Sequence, residues 1–162
     1  MSKEETFTQL IKEHQGLIYK VSALYTEQKQ DQNDLYQEIV YQLWKSYDSY
    51  RGDAKMSTWM YRVALNTAIG QLKKKKRAPN TVSIDQGVVH IMDEIDADLD
   101  ERIKALNAQI QQLSILDRGL ILLLLEGKKY EEIAEIAGLS LTNVATRISR
   151  IKQKLKSKMT KN

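Results

Sequence analysis

The chain of 162 residues contains no cysteine and only one proline, Pro79. Without thiols it has no disulfide and no thiolate metal site, which fits a reducing compartment. Only seven glycines are present, and strand-like alternation of apolar and polar residues is hard to find. Long apolar runs are also missing. The longest, Leu120 to Leu125, is six residues, far short of the ~20 needed to span a bilayer. The opening Met1-Ser2-Lys3-Glu4-Glu5 carries charge where a secretion signal needs an apolar stretch. These absences predict a cytosolic chain that does not insert into a membrane.

Catalytic and metal chemistry are poorly provided for. The two histidines, His14 and His90, are far apart, and neither has a ligand partner at metal spacing. No glycine loop of phosphate-binding type occurs. An enzyme is therefore not expected, and neither is a metal or a cofactor. What is present is ordinary globular composition, 42% hydrophobic and 28% charged, which argues against disorder throughout.

The net charge of +4 is modest, but its distribution is uneven. Lys73-Lys74-Lys75-Lys76-Arg77 is an unbroken basic run, whereas Asp93, Glu94, Asp96, Asp98, Asp100 and Glu101 make the following segment acidic. Beyond Glu135 no further carboxylate side chain appears, while Arg147, Arg150, Lys152, Lys154, Lys156, Lys158 and Lys161 accumulate. Two basic zones separated by an acidic one suggest two surfaces for a polyanion, or else two solvated helix ends.

Helical spacing recurs along most of the chain. Phe7, Leu10, Ile11, Leu17, Ile18, Val21 and Leu24 fit one amphipathic helix or a broken pair. Leu35, Ile39, Val40, Leu43, Trp44 and Tyr47 form one wide stripe of a helix expected to start near Asp31 to Asp34, where carboxylates suit the N-terminal dipole. Tyr50-Arg51-Gly52-Asp53-Ala54-Lys55 reads as a turn. Ser57 or Thr58 can cap a third helix running to about Lys76, and Pro79 ends it. From Ala78 to about Asp98 the pattern dissolves into a flexible linker. Periodicity resumes with Leu99, Ile103, Leu106, Ile110 and Leu113. Ile121-Leu122-Leu123-Leu124-Leu125 is apolar all round, which predicts a largely buried helix closed by Gly127 as a left-handed cap. The expected fold is all-α, with two small helical domains over 1–77 and 99–162 joined by the linker 78–98.

The strongest local signal is Tyr130 to Val144. Ile133 and Ile136 pack a short helix, and Ala134 lets a second helix approach closely. Gly138 supplies a positive φ, Leu139 plugs the corner, and Ser140 caps the next helix. Val144, Ile148, Ile151 and Leu155 hold that second helix down. At about 100° per residue, Thr142, Asn143, Thr146, Ser149, Arg150 and Gln153 fall on the opposite face, with Arg147 at its edge. Such side chains reach base edges and phosphates in a major groove.

Leu113-Ser114-Ile115-Leu116-Asp117-Arg118, the leucine run, Gly127 to Ala134 and the second helix together resemble the fourth conserved region of bacterial sigma factors. Asp34-Leu35-Tyr36-Gln37-Glu38 resembles the acidic helix of region two. Ser57 to Asn66, followed by the basic run, is similar to that region's promoter-melting part. With no third region and no extra N-terminal region, the chain resembles the extracytoplasmic-function class.

That resemblance implies an alternative sigma factor. It would bind core RNA polymerase through Asp34, Gln37 and Glu38, although acids near a helix N-terminus also serve their own dipole. It implies promoter DNA as a partner: Arg62, Asn66, Lys73, Lys74, Lys75, Lys76 and Arg77 at the minus-ten element, with the 50–56 loop as a pocket wall. Trp59 and Tyr61 are further stacking candidates, though Trp59 at helical spacing from Val63 suits the core equally. Thr142, Asn143, Thr146, Arg147, Ser149 and Arg150 are the expected contacts at the minus-thirty-five element. Ala145 departs from the family, whose members often carry a basic residue there. The resemblance also implies an anti-sigma factor, and a linker whose acids either imitate nucleic acid or merely solvate a spacer. The rival is a dimeric helix-turn-helix regulator of a palindrome; the Asp34–Glu38 and Ser57–Asn66 motifs argue against it.

Overall fold

A computed structural model describes residues 2–77 and 101–160, excluding the side chains of 76, 77, 159 and 160. The chain divides into two compact units, Met1–Val82 and Ser83–Asn162. The expected linker, 78–98, lies outside the described residues, as do Pro79 and Leu99. All the regular elements described are helical.

The first unit holds α1 (Lys3–Glu13), α2 (Gln15–Leu24), α3 (Lys29–Ser46), a 3-10 turn (Tyr47–Ser49) and α4 (Met56–Arg77). The first stripe is thus a broken pair. Ser2 caps α1 by accepting from the Glu5 amide at 3.2 Å, and the break falls at His14, whose amide donates to the Leu10 carbonyl at 3.1 Å. Helix α3 starts earlier than its acids suggest, after Gln28, so that Asp31 lies in its first turn. The Gln32 amide donates to the Gln28 carbonyl at 2.9 Å. Helix α4 also starts ahead of the expected caps. Ser57 and Thr58 sit inside its first turn, where the Trp59 amide donates to the Lys55 carbonyl at 3.0 Å.

Helices α2, α3 and α4 pack on one another, and α1 lies on α2. Their core comprises Ile18, Val21, Leu35, Ile39, Leu43, Met60, Ala64, Leu65 and Ala68. An aromatic cluster closes one end. Phe7 meets Trp44 and Tyr47 edge-on at 5.0 and 5.3 Å, and Trp59 lies 5.1 Å from Tyr50 and 6.4 Å from Tyr47. Lys3 places its Nζ 4.3 Å from the Trp44 ring centre and 2.9 Å from Asp48. Such ring pairs add about 0.5–1.5 kcal/mol beyond the area they bury.

The second unit holds α5 (Glu101–Gln111), α6 (Ile115–Leu125), α7 (Tyr130–Ala137) and α8 (Leu141–Thr160). Helix α8 packs against α5, α6 and α7. Its Val144, Ile148, Ile151 and Leu155 are buried with Ile110, Leu113, Leu120, Ile121, Leu123, Ile133 and Ile136. The leucine run is less enclosed than its composition suggests. Leu120, Ile121 and Leu123 are buried, Leu122 and Leu124 are half-buried, and Leu125 is 59% exposed. A helix on the outside of a small bundle presents about half its circumference to the core, so a continuous apolar run overflows it.

Candidate nucleic-acid interface

The turn between α7 and α8 follows from local chemistry. Gly138 has φ +71°, where a Cβ would be strained. Its amide and that of Leu139 both donate to the Ala134 carbonyl, at 2.9 and 3.1 Å, which closes α7. Ser140 then caps α8, with its Oγ accepting from the Asn143 amide at 3.1 Å. At the other end of α7, the Glu132 carboxylate accepts from the Lys129 amide at 3.4 Å. Gly127, with φ +82°, ends the α6 segment as its sequence position predicts.

With one stripe of α8 buried, the opposite face is open. Thr142, Asn143, Thr146, Ser149, Arg150 and Gln153 are all exposed. Arg147 differs from these. It stands at the seam between the open face and the buried stripe and is half-buried. Its Nη1 donates to Asp117 Oδ1 at 3.1 Å, and its Nε donates to Asn143 Oδ1 at 3.2 Å. Asp117 belongs to α6, thirty residues away, and spacing within α8 carries no sign of it.

In the first unit, Asp34 and Gln37 are exposed on α3 and Glu38 is half-buried, accepting from Gln42 Nε2 at 3.0 Å. Tyr41 joins them on the same face and is 54% exposed. It lies three residues after Glu38 and seven after Asp34, a helical spacing that could have singled it out.

The turn before α4 is an open excursion. Arg51, Gly52, Asp53 and Lys55 are exposed, and Gly52 has φ +82°. Tyr50 anchors it by donating its hydroxyl to the Ala54 carbonyl while its ring rests on Trp59. Trp59 is 7% exposed and Tyr61 is 4%, so neither presents a ring to a base in this conformation. For Tyr61 this corrects the expectation of a stacking role: adjacent helix positions differ by about 100°, and the core takes Met60, Tyr61 and Ala64.

Asn66 is exposed, and Arg62 is half-buried and already engaged. Projected down α4, Arg62, Asn66, Gly70 and Lys73 form one line on a single face. Lys73, Lys74 and Lys75 are exposed, but Lys75 points elsewhere on this projection and pairs with Asp31 of α3 at 3.6 Å. The side chains of Lys76 and Arg77 lie outside the described residues. Among the described residues there is no carboxylate and histidine group able to hold a metal, and no helix long and apolar enough to cross a membrane.

The two open faces coincide with two family regions. Residues 10–78 match the model of Sigma-70 region 2, and residues 103–155 match that of Sigma-70, region 4. The chain is similar to the ECF RNA polymerase sigma-E factor of Haemophilus influenzae, with 30% identity over 96% of this chain and 88% of that protein. It is also similar to the RNA polymerase sigma factor SigV of Bacillus subtilis, with 26% identity over 99% and 98% of the two chains. Two solved structures share the fold. One is the sigma factor RpoE in complex with the anti-sigma factor NepR from Bartonella quintana, with a TM-score of 0.79, 20% identity, and 97% and 98% of the two chains covered. The other is CnrH in complex with the cytosolic domain of CnrY, with a TM-score of 0.72, 18% identity, and 99% and 92% covered. Region two and region four, in that order and with relatives matched along nearly their whole length, make the chain a member of the extracytoplasmic-function sigma factors, which direct RNA polymerase in promoter-specific transcription initiation rather than catalyse a reaction.

Proposed function

We propose that the second unit reads the minus-thirty-five element with the exposed face of α8, while the first unit binds core polymerase and opens the minus-ten element. The observation that carries this reading is the division of α8: Val144, Ile148, Ile151 and Leu155 are buried, and the face opposite them is exposed and free of acids. On it, Thr142, Asn143, Thr146, Ser149 and Arg150 meet base edges and phosphates, with Arg147 at the margin. The line Arg62, Asn66 and Lys73 follows the minus-ten strand, and Lys74, Lys76 and Arg77 add phosphate attraction. Lys75 contributes less, because Asp31 already faces it. Asp34, Gln37, Glu38 and the neighbouring Tyr41 form the polymerase contact.

The factor acts stoichiometrically in the cytoplasm, binding core polymerase, seating on two promoter elements and leaving once elongation begins. An anti-sigma factor is its expected restraint, since both structural relatives are recorded with one or with a partner's cytosolic domain.

A run-off transcription assay with purified core polymerase tests the whole. Arg150→Ala is expected to weaken promoter binding about tenfold while leaving polymerase binding intact, and Glu38→Lys is expected to weaken polymerase binding. Failure of promoter-specific initiation, with tight footprinting of a palindrome by the isolated protein, would show a conventional regulator instead.

A further inference from the structure

Helices α6 and α8 begin in the same way. Ser114 caps α6 and accepts from the amide of Asp117, three residues on, at 3.2 Å. Ser140 caps α8 and accepts from the amide of Asn143, again three residues on, at 3.1 Å. The capped turns fix both backbones, so the Asp117 and Asn143 side chains leave rigid helix starts. One guanidinium bridges them: Arg147 donates Nη1 to Asp117 Oδ1 at 3.1 Å and Nε to Asn143 Oδ1 at 3.2 Å. The ion pair is partly shielded, with side-chain exposures of 37% for Arg147 and 20% for Asp117.

The arrangement fixes an amide orientation. Arginine only donates, so the Asn143 group facing Nε must be its oxygen, and both Nδ2 hydrogens stay available to a ligand. Asparagine pairs in two-point fashion with adenine by accepting from N6 and donating to N7. The guanidinium occupies one of the two Oδ1 lone pairs and places a positive charge beside the other, so that pairing is weakened. A guanidinium beside the amide also repels the N6 hydrogens of adenine and favours an edge of acceptors. Guanine offers two, N7 and O6.

We propose that Asp117 is a positioning residue for base selection: by clamping Arg147 against Asn143 it biases Asn143 toward donating through Nδ2, which favours guanine over adenine at the base it meets. Arg147 acts here through Asn143, and its paired charge adds less to salt-dependent affinity than that of Arg150. The proposal rests on the reading of α8 as the promoter-facing helix.

The test uses polymerase holoenzyme assembled with the full chain, bound to promoters randomised across the upstream element, with the bound pool sequenced. Arg147→Ala is expected to move one position from guanine toward adenine by roughly tenfold, the scale of one two-point side chain–base contact. Asp117→Ala and the isosteric Asp117→Asn are expected to move the same position in the same direction by a smaller factor. In the Arg147→Ala background, Asp117→Ala should change the preference no further. A purely structural role for Asp117 would lower binding to all sequences equally, and an unchanged base profile in Arg147→Ala and both Asp117 variants overturns the proposal. Arg150→Ala separates the two claims. If it weakens binding while the clamp variants leave the profile unchanged, only the clamp is wrong; if it and Asn143→Ala leave binding untouched, the promoter reading of α8 fails first.

Discussion

Ten of the eleven aromatic residues precede residue 62, and Tyr130 is the only one in the second unit. The two units accordingly hold their working surfaces by different means. In the first, rings do the holding: Trp44, Phe7, Tyr47, Trp59 and Tyr50 touch in that order, and through Tyr50 they tether a turn that has few backbone bonds of its own. In the second, the core is aliphatic, and order at the surface comes from helix ends, with serine caps at Ser114 and Ser140 and left-handed glycines at 127 and 138. The difference suits the two tasks proposed for the units. A rigid helix face can read an intact groove. A strand pulled out of its stack needs an irregular wall, and large rings can support one from behind without regular structure.

The sharpest way to break this comparison is to remove the ring at its centre. Trp59→Ala is expected to cost about 3–5 kcal/mol, the range for deleting a large buried aromatic side chain. It should also loosen the 50–55 turn, so that promoter opening falls more than binding to a pre-melted template. Urea titration followed by circular dichroism checks the first expectation, and initiation from duplex against pre-melted promoters checks the second. If the turn kept its function without Trp59, the ring cluster would be packing alone.

The matching change in the second unit is Ile148→Ala, at a fully buried position on α8. A loss of about 2–4 kcal/mol is expected. Both tryptophans, Trp44 and Trp59, lie in the first unit, so selectively excited tryptophan fluorescence reports that unit only. Helix loss by circular dichroism should therefore shift to lower urea while the fluorescence transition stays in place. A common shift in both signals would mean that the units do not melt separately.

Much of this architecture was legible in the sequence, and the exceptions share a cause. The stripes of α3 and α8, the corner at Gly138 and the exposed face of α8 all follow from spacing within one helix, which a single segment contains. Pairings between segments do not. Within α8 nothing signals that Arg147 pairs with Asp117, and within the basic run nothing signals that Lys75 pairs with Asp31. Tyr61, buried, and Leu125, exposed, differ from the sequence pattern for a related reason. Composition says that a side chain is apolar, but the neighbouring helices decide which apolar side chains they cover. Helix starts slipped by a few residues at α3 and α4, whose first intrahelical bonds already run to the Gln28 and Lys55 carbonyls, and α3 begins without a side-chain cap.

The smallest effects, and the most diagnostic, come from one glycine in each unit. Neither Gly70 nor Gly138 would bring a Cβ near any other atom, so crowding is not the issue at either site. Gly138 has φ +71°, and Gly138→Ala is expected to cost about 1–2 kcal/mol through the left-handed backbone alone. Gly70 lies inside α4, and Gly70→Ala should instead add about 0.5–1 kcal/mol, because glycine is a poor helix former. Thermal melts of the two variants should therefore shift in opposite directions. Gly70 also stands on the exposed line between Asn66 and Lys73, where a bare backbone lets a phosphate chain come close. If that proximity is used, Gly70→Ala gives a more stable protein that opens promoters less well. If opening is unchanged, the DNA strand runs clear of this turn of α4, and the contact line is confined to the side chains on either side of it.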